Sequence, residues 1–188
     1  MYKILKEIYS TSPYLKYKNQ TEFDLIKDGR DTYGEITQNG TDKLVSHFKK
    51  HFNNNTVFYD LGSGLGKMVL HIGLQYDIKK SIGIELSKER YQGAIDLKEK
   101  YAKNNTNIQF HLKSFLDYNL SDATVIYMDN TCMSHKMNEI IYNKLPKGCL
   151  LLYKKCFDVA FIPQNKQNQI KDLVDRTYNQ KNITWLIK

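Results

Sequence analysis

Cysteine is scarce in this chain: Cys132, Cys149 and Cys156 are all it carries in 188 residues, and no two form a C-x-x-C pair. That excludes a disulfide framework and a paired-cysteine zinc site, and it fits a reducing, intracellular location. Long apolar runs are missing too. None reaches membrane-spanning length, and Met1–Glu7 lacks the apolar region of a signal peptide, so no membrane partner is expected. His47 and His51 stand four apart without the glutamate of an H-E-x-x-H motif, so no metal is expected either. No five like charges follow one another, which excludes a basic tail. The net charge is nonetheless +8, from 28 basic and 20 acidic residues. It leaves an acidic partner such as nucleic acid or a nucleosome open. An AT-rich genome gives the same Lys, Asn, Ile and Tyr without selection for binding.

What is present is organised around Thr56-Val57-Phe58-Tyr59-Asp60-Leu61-Gly62-Ser63-Gly64-Leu65-Gly66-Lys67. The β-branched and aromatic run reads as a buried strand, and Met68–Leu74 after the turn reads as a packed helix. Gly62, Gly64 and Gly66 allow a tight turn and a close approach of backbone to a ligand. The helix behind them aims its first amides at that ligand. A dinucleotide fingerprint wants G-x-G-x-x-G; here the spacing is G-x-G-x-G, and an acid, Asp60, precedes it. This D-x-G-x-G-x-G stretch resembles the first motif of class I S-adenosylmethionine-dependent methyltransferases. A carboxylate there suits a cationic amino-acid moiety better than a pyrophosphate. Ser81–Glu85 reads as the next buried strand, and Glu85 at its end is placed to bind both ribose hydroxyls.

The length suits one domain, residues 1–188, with 1–31 as an N-terminal helical cover and 32–188 as the catalytic core. Ile4, Leu5, Ile8 and Tyr9 suggest a short helix, and Tyr14–Arg30 a second piece. Thr41 reads as the N-cap of a helix over Asp42–Phe52. Ser87 caps a helix to about Lys103. Asn107–Leu112, Ala123–Met128 and Cys149–Tyr153 are further strands, with a helix to about Leu145 between the last two. Phe157–Ile162 and Ile183–Ile187 read as a final antiparallel pair, separated by the polar stretch Gln164–Tyr178, helical or loop. Strands alternating with helices predict an α/β, Rossmann-like, mostly parallel seven-stranded sheet with helices on both faces. Ligands of such sheets bind beyond the carboxyl ends of the strands, which gathers Asp60, Glu85, Phe115 and Asp129-Asn130 around one crevice.

Four stretches together resemble the non-SET histone lysine methyltransferases called disruptor of telomeric silencing. They are Tyr33-Gly34-Glu35, the glycine motif from Phe58 to Leu70, Val125–Asn130 where that family has a strand ending in Asn-Asn, and Lys147-Gly148 through Lys155-Cys156-Phe157. The likeness spans roughly residues 31–160. It departs in three places: Ser114-Phe115 stands where the family has Asp-Phe for the adenine, Asp129 replaces the first Asn, and Lys67 replaces a Gln. The resemblance implies S-adenosyl-L-methionine as cofactor and a protein lysine, of a histone or nucleosome, as substrate. It implies cofactor contacts from Tyr33, Glu35, Asp60, Gly62, Gly64, Gly66, Glu85, Ser114, Phe115, Asp129 and Asn130. Asn130 and Tyr33 are the candidate catalytic residues, Asn130 by accepting a hydrogen bond from the amine and Tyr33 by shaping the channel.

Methyl transfer disperses the sulfonium charge, so positioning, and not a strong acid, is the main requirement. A lysine nucleophile must be neutral, which an apolar aromatic channel favours by desolvation. An adenine amino-methyltransferase would want [DN]-P-P-[YF] where this chain has Asp129-Asn130-Thr131-Cys132. A ribose 2′-O-methyltransferase would want a Lys-Asp-Lys-Glu set; Asp129 and Lys154 or Lys155 can supply the middle two, but no Glu occurs after Glu139. RNA is therefore the alternative substrate, and a non-catalytic cofactor-binding subunit is the non-enzyme alternative.

Overall fold

The computed structural model describes residues 1–11, 34–155, 162, 166–171, 173 and 182–188. A seven-stranded sheet runs through them. β1 (Val57–Leu61) lies at its middle. β2 (Lys80–Glu85) and then β3 (Ile108–Leu112) flank it on one side, and β4 (Val125–Met128) and then β5 (Leu150–Tyr153) on the other. These five are parallel. β7 (Ile183–Ile187) runs antiparallel to both β5 and β6 (Asn168–Ile170), which gives the order β3-β2-β1-β4-β5-β7-β6. A strand covered on both faces has no solvated side, so its sequence runs apolar without alternation. β1, β4 and β5 are buried at every position.

Successive side chains still point to opposite faces. Phe58, Val125, Tyr127, Leu150 and Leu152 pack against α1 (Tyr2–Ser10), α2 (Gln38–His47), α3 (Lys67–Gln75) and α4 (Lys88–Tyr101). Val57, Tyr59, Ile126, Met128 and Leu151 pack on the other side with Ile141 of α5 (His135–Lys144). Among the described residues, no helix is long and apolar enough to cross a membrane.

The expected sheet and its strand–helix alternation are present, including the Ser87 cap, whose hydroxyl accepts from the Arg90 amide. Two local expectations fail. The second helix begins at Gln38, not after Thr41, because the Thr37 hydroxyl accepts from the Gly40 amide at 3.1 Å. Gln38-Asn39-Gly40 looks like a turn, yet it forms the first helical turn. Thr41 is fully buried inside it, its hydroxyl bonded to the Thr37 carbonyl. That helix ends at His47 and passes into a 3-10 turn, Lys49–His51, short of Phe52. At the other end of the chain, the strand that joins β7 is Asn168–Ile170, from the stretch read as helix or loop. It is three residues long with two exposed, as suits a sheet edge, and so leaves no hydrophobic pattern to read. Of Phe157–Ile162, only Ile162 lies among the described residues; it is buried and outside any strand. Tyr14–Arg30 lies outside them altogether.

Candidate active site

β1 has β2 on one side and β4 on the other, so the chain leaves the middle of the sheet in opposite directions at this point. The crevice beyond the carboxyl ends of these strands is where parallel sheets bind ligands. Gly62 opens the turn there with φ +84°, and no atom lies within 4 Å of where a Cβ would stand. Gly66 closes it at φ +69° as the N-cap of α3. A Cβ on Gly66 would lie 2.2 Å from Phe110 Cε1, so only glycine fits. Gly64, also left-handed, sits between them.

The turn is fastened to β2. The Gly62 and Ser63 amides donate to the Ile84 carbonyl at 2.8 and 3.1 Å. The Gly64 amide donates to Glu85 Oε2 at 2.7 Å, while Glu85 Oε1 accepts from the Leu86 and Ser87 amides at 3.0 and 2.8 Å. Burial pushes the Glu85 carboxyl up; the Ser87 amide, the Arg90 charge and the Gly64 and Leu86 amides pull against it. Glu85 therefore occupies the expected place and also staples the glycine turn to the start of α4.

Asp60 is 6% exposed. Burial first, then the charges of Glu85 and Asp129, pushes its carboxyl up to about 8. Three acids thus converge from the ends of β1, β2 and β4. Asp129 is the more open one; it accepts from the Thr131 amide and hydroxyl, and its Oδ2 lies 4.0 Å from Lys154 Nζ at the end of β5. Asn130 beside it is fully buried. Its Nδ2 donates to the Lys155 carbonyl at 2.7 Å and to Asn138 Oδ1 at 3.3 Å. Its Oδ1 accepts from the Lys155 and Lys154 amides at 2.7 and 3.2 Å. Those four bonds use the amide's two donors and two lone pairs. Asn130 thus clamps the ends of β4 and β5 to α5.

Ser114 and Phe115 lie half-buried in the loop beyond β3, with Ser114 Oγ accepting from the Leu116 amide and Phe115 packed on the α5-side core. Tyr33 lies outside the described residues. Glu35 is described, and a feature missed in the sequence holds it: Lys67 Nζ donates to Glu35 Oε2 at 2.7 Å. A cation at the first position of a helix opposes the helix dipole. That conflict at Lys67 was the available signal of a buried partner.

An S-adenosylmethionine-type ligand fits the residues present. The glycine turn leaves open space at Gly62, and acids stand at the ends of β1 and β2. Strand order and glycine turn together define the class I methyltransferase fold. A solved RNA methyltransferase from Salinibacter ruber, in complex with S-adenosyl-L-homocysteine, shares this fold. It aligns with a TM-score of 0.63 at 18% identity, over 81% of this chain and 93% of that one.

The family model described as histone methylation protein DOT1 matches residues 18–185, and the chain belongs to that family. It is similar to a protein-lysine N-methyltransferase of Saccharolobus islandicus, 27% identical over 95 residues, which cover 50% of this chain and 56% of the relative. It is also similar to an H3 lysine-79-specific histone-lysine N-methyltransferase of Kluyveromyces lactis, 35% identical over 111 residues, covering 54% of this chain and 18% of that protein. The chain thus spans little more than half of one of these relatives and under a fifth of the other.

Proposed function

We infer that the chain is one methyltransferase domain that transfers a methyl group from S-adenosyl-L-methionine to the Nε of a protein lysine. The observation that carries this reading is the family match over residues 18–185 laid on a crevice that holds the glycine turn, Asp60, Glu85 and Asp129 together. The cofactor supplies an electrophilic methyl group on a sulfonium. The chain's residues do the rest by position. Asp60 and Asp129 favour a cationic amino-acid end, and Glu85 suits the ribose hydroxyls. Phe115 offers a face for the adenine, with Ser114 beside it. Glu35, held by Lys67, stands ready for the amino-acid end. Asn130 sets the height of the β4 and β5 ends along the acceptor channel, so its influence on rate is one of positioning.

A histone or nucleosome is the finer reading of the substrate, supported by the relatives' specificity and by a net charge of +8. Ribose methylation of RNA is the second reading. The pairing of Asp129 with Lys154 favours it, since both stand at neighbouring strand ends as half of a Lys-Asp-Lys-Glu set would.

Incubation with methyl-labelled S-adenosylmethionine and separate arms of core histones, nucleosomes and RNA tests these readings. Label recovered as methylated lysine after acid hydrolysis is the expected result. Label in RNA alone overturns the lysine assignment in favour of the second reading.

A further inference from the structure

Lys67 is 4% exposed at the first position of α3, where the helix dipole opposes it and burial penalises it. Three acceptors match its three protons: Glu35 Oε2 at 2.7 Å, the Thr11 carbonyl at 2.6 Å and the Tyr9 carbonyl at 3.5 Å. Tyr9 and Thr11 are at the carboxyl end of α1, the negative end of that helix. One ammonium therefore binds two segments far apart in sequence to the first turn behind the glycine loop.

The next turn of α3 repeats the attachment. His71, fully buried, meets the Tyr9 hydroxyl with Nδ1 at 3.1 Å and Asp42 Oδ1 with Nε2 at 3.1 Å. The same Tyr9 hydroxyl lies 2.9 Å from Thr41 Oγ1 on α2. Lys67 and His71, four apart, lie on one face of the helix. His71 fixes the end of α1 by its side chain, which leaves Lys67 as the group that carries α1 and Glu35 together.

We propose that Lys67 is a positioning residue for cofactor binding: it holds the Glu35 carboxylate and the end of α1 against the first turn of α3, and sets cofactor affinity without touching the cofactor. This rests on the cofactor reading above. Its natural alternative is a purely structural strap.

Calorimetric titration with S-adenosyl-L-homocysteine separates the two, using Lys67→Met, Lys67→Arg, Glu35→Gln and the double variant Lys67→Met/Glu35→Gln. Lys67→Met, which releases Glu35 and the end of α1 from all three of these hydrogen bonds, is expected to bind about tenfold more weakly. Glu35→Gln loses a similar factor, the double variant binds no worse than either single one, and Lys67→Arg recovers most of the affinity. With a methyl acceptor, the cofactor KM rises in Lys67→Met while kcat changes little. Wild-type affinity in Lys67→Met, accompanied by faster amide exchange in α1, overturns the proposal and leaves a strap. Additive losses in the double variant overturn it too. Should Lys67→Met fail to fold, Glu35→Gln reads the same contact, and unchanged affinity there overturns it. A wild-type protein that binds no S-adenosyl-L-homocysteine overturns the cofactor reading itself, and the proposal with it.

Discussion

Asp60 lies at the end of the central strand, where burial first, and then the charges of Glu85 and Asp129, pushes its carboxyl up to about 8 from an ordinary 3.8. A carboxyl that holds its proton more tightly in the fold than in the unfolded chain stabilises the fold below 3.8, and that contribution is lost as pH rises through about 8. Asp60→Asn removes the titration while keeping the shape. The variant is expected to match wild type in urea unfolding at pH 4 and to unfold at higher urea than wild type at pH 9. Parallel pH profiles for the two proteins would mean that Asp60 holds its proton with ordinary affinity. A cation brought beside the three acids relieves the same repulsion, so the residue that destabilises the empty crevice also favours a ligand with an ammonium group.

At the scale of elements, the crevice is held in shape by turns fastened across the sheet. The Asn130 amide joins the turn after β4 to that after β5 and to α5 through four hydrogen bonds. Asn130→Ala leaves the amides of Lys154 and Lys155 and the Lys155 carbonyl without these partners. It is expected to cost at least about 2 kcal/mol of unfolding free energy in urea, because each orphaned buried group carries its own penalty. Asn130→Asp keeps the accepting oxygen but sets a second oxygen, which cannot donate, against the Lys155 carbonyl and Asn138 Oδ1 in a fully buried site, so at neutral pH it should cost at least as much as Asn130→Ala. A full loss of turnover in Asn130→Ala with stability unchanged would contradict the clamp and make Asn130 a direct contact of the acceptor amine. The expectation from sequence put Asn130 in the channel. Its four bonds could not be read from sequence, because their partners lie far along the chain.

Across the whole molecule, legibility followed the range of the interaction. β1, β4 and β5 were readable because burial on both faces makes each a short continuous apolar run, β1 before its glycine turn most clearly, whereas β3 at the sheet edge was readable by its alternation. The Ser87 cap was readable because its hydroxyl acts only three residues away. α2 was misread by a turn-like Gln38-Asn39-Gly40, where the Thr37 cap overrides weak helix propensity. β6 has no periodicity because an edge strand has little to bury. The Lys67–Glu35 pair and the Tyr9–His71–Asp42 chain tie α1 and the segment from Glu35 into α2 to α3; a cation at the start of α3 signals a buried partner for Lys67, but no local pattern says which residue that partner is. The glycine turn and the Asp60 carboxyl both meet Glu85 at the centre of the crevice. The most direct test is a titration of wild type and Glu85→Ala with S-adenosyl-L-homocysteine. Wild type is expected to bind one to one, with a loss of about 1–3 kcal/mol, roughly 5- to 150-fold, in the variant. Equal affinity in the two proteins, or no heat of binding to wild type at millimolar ligand, would contradict this expectation.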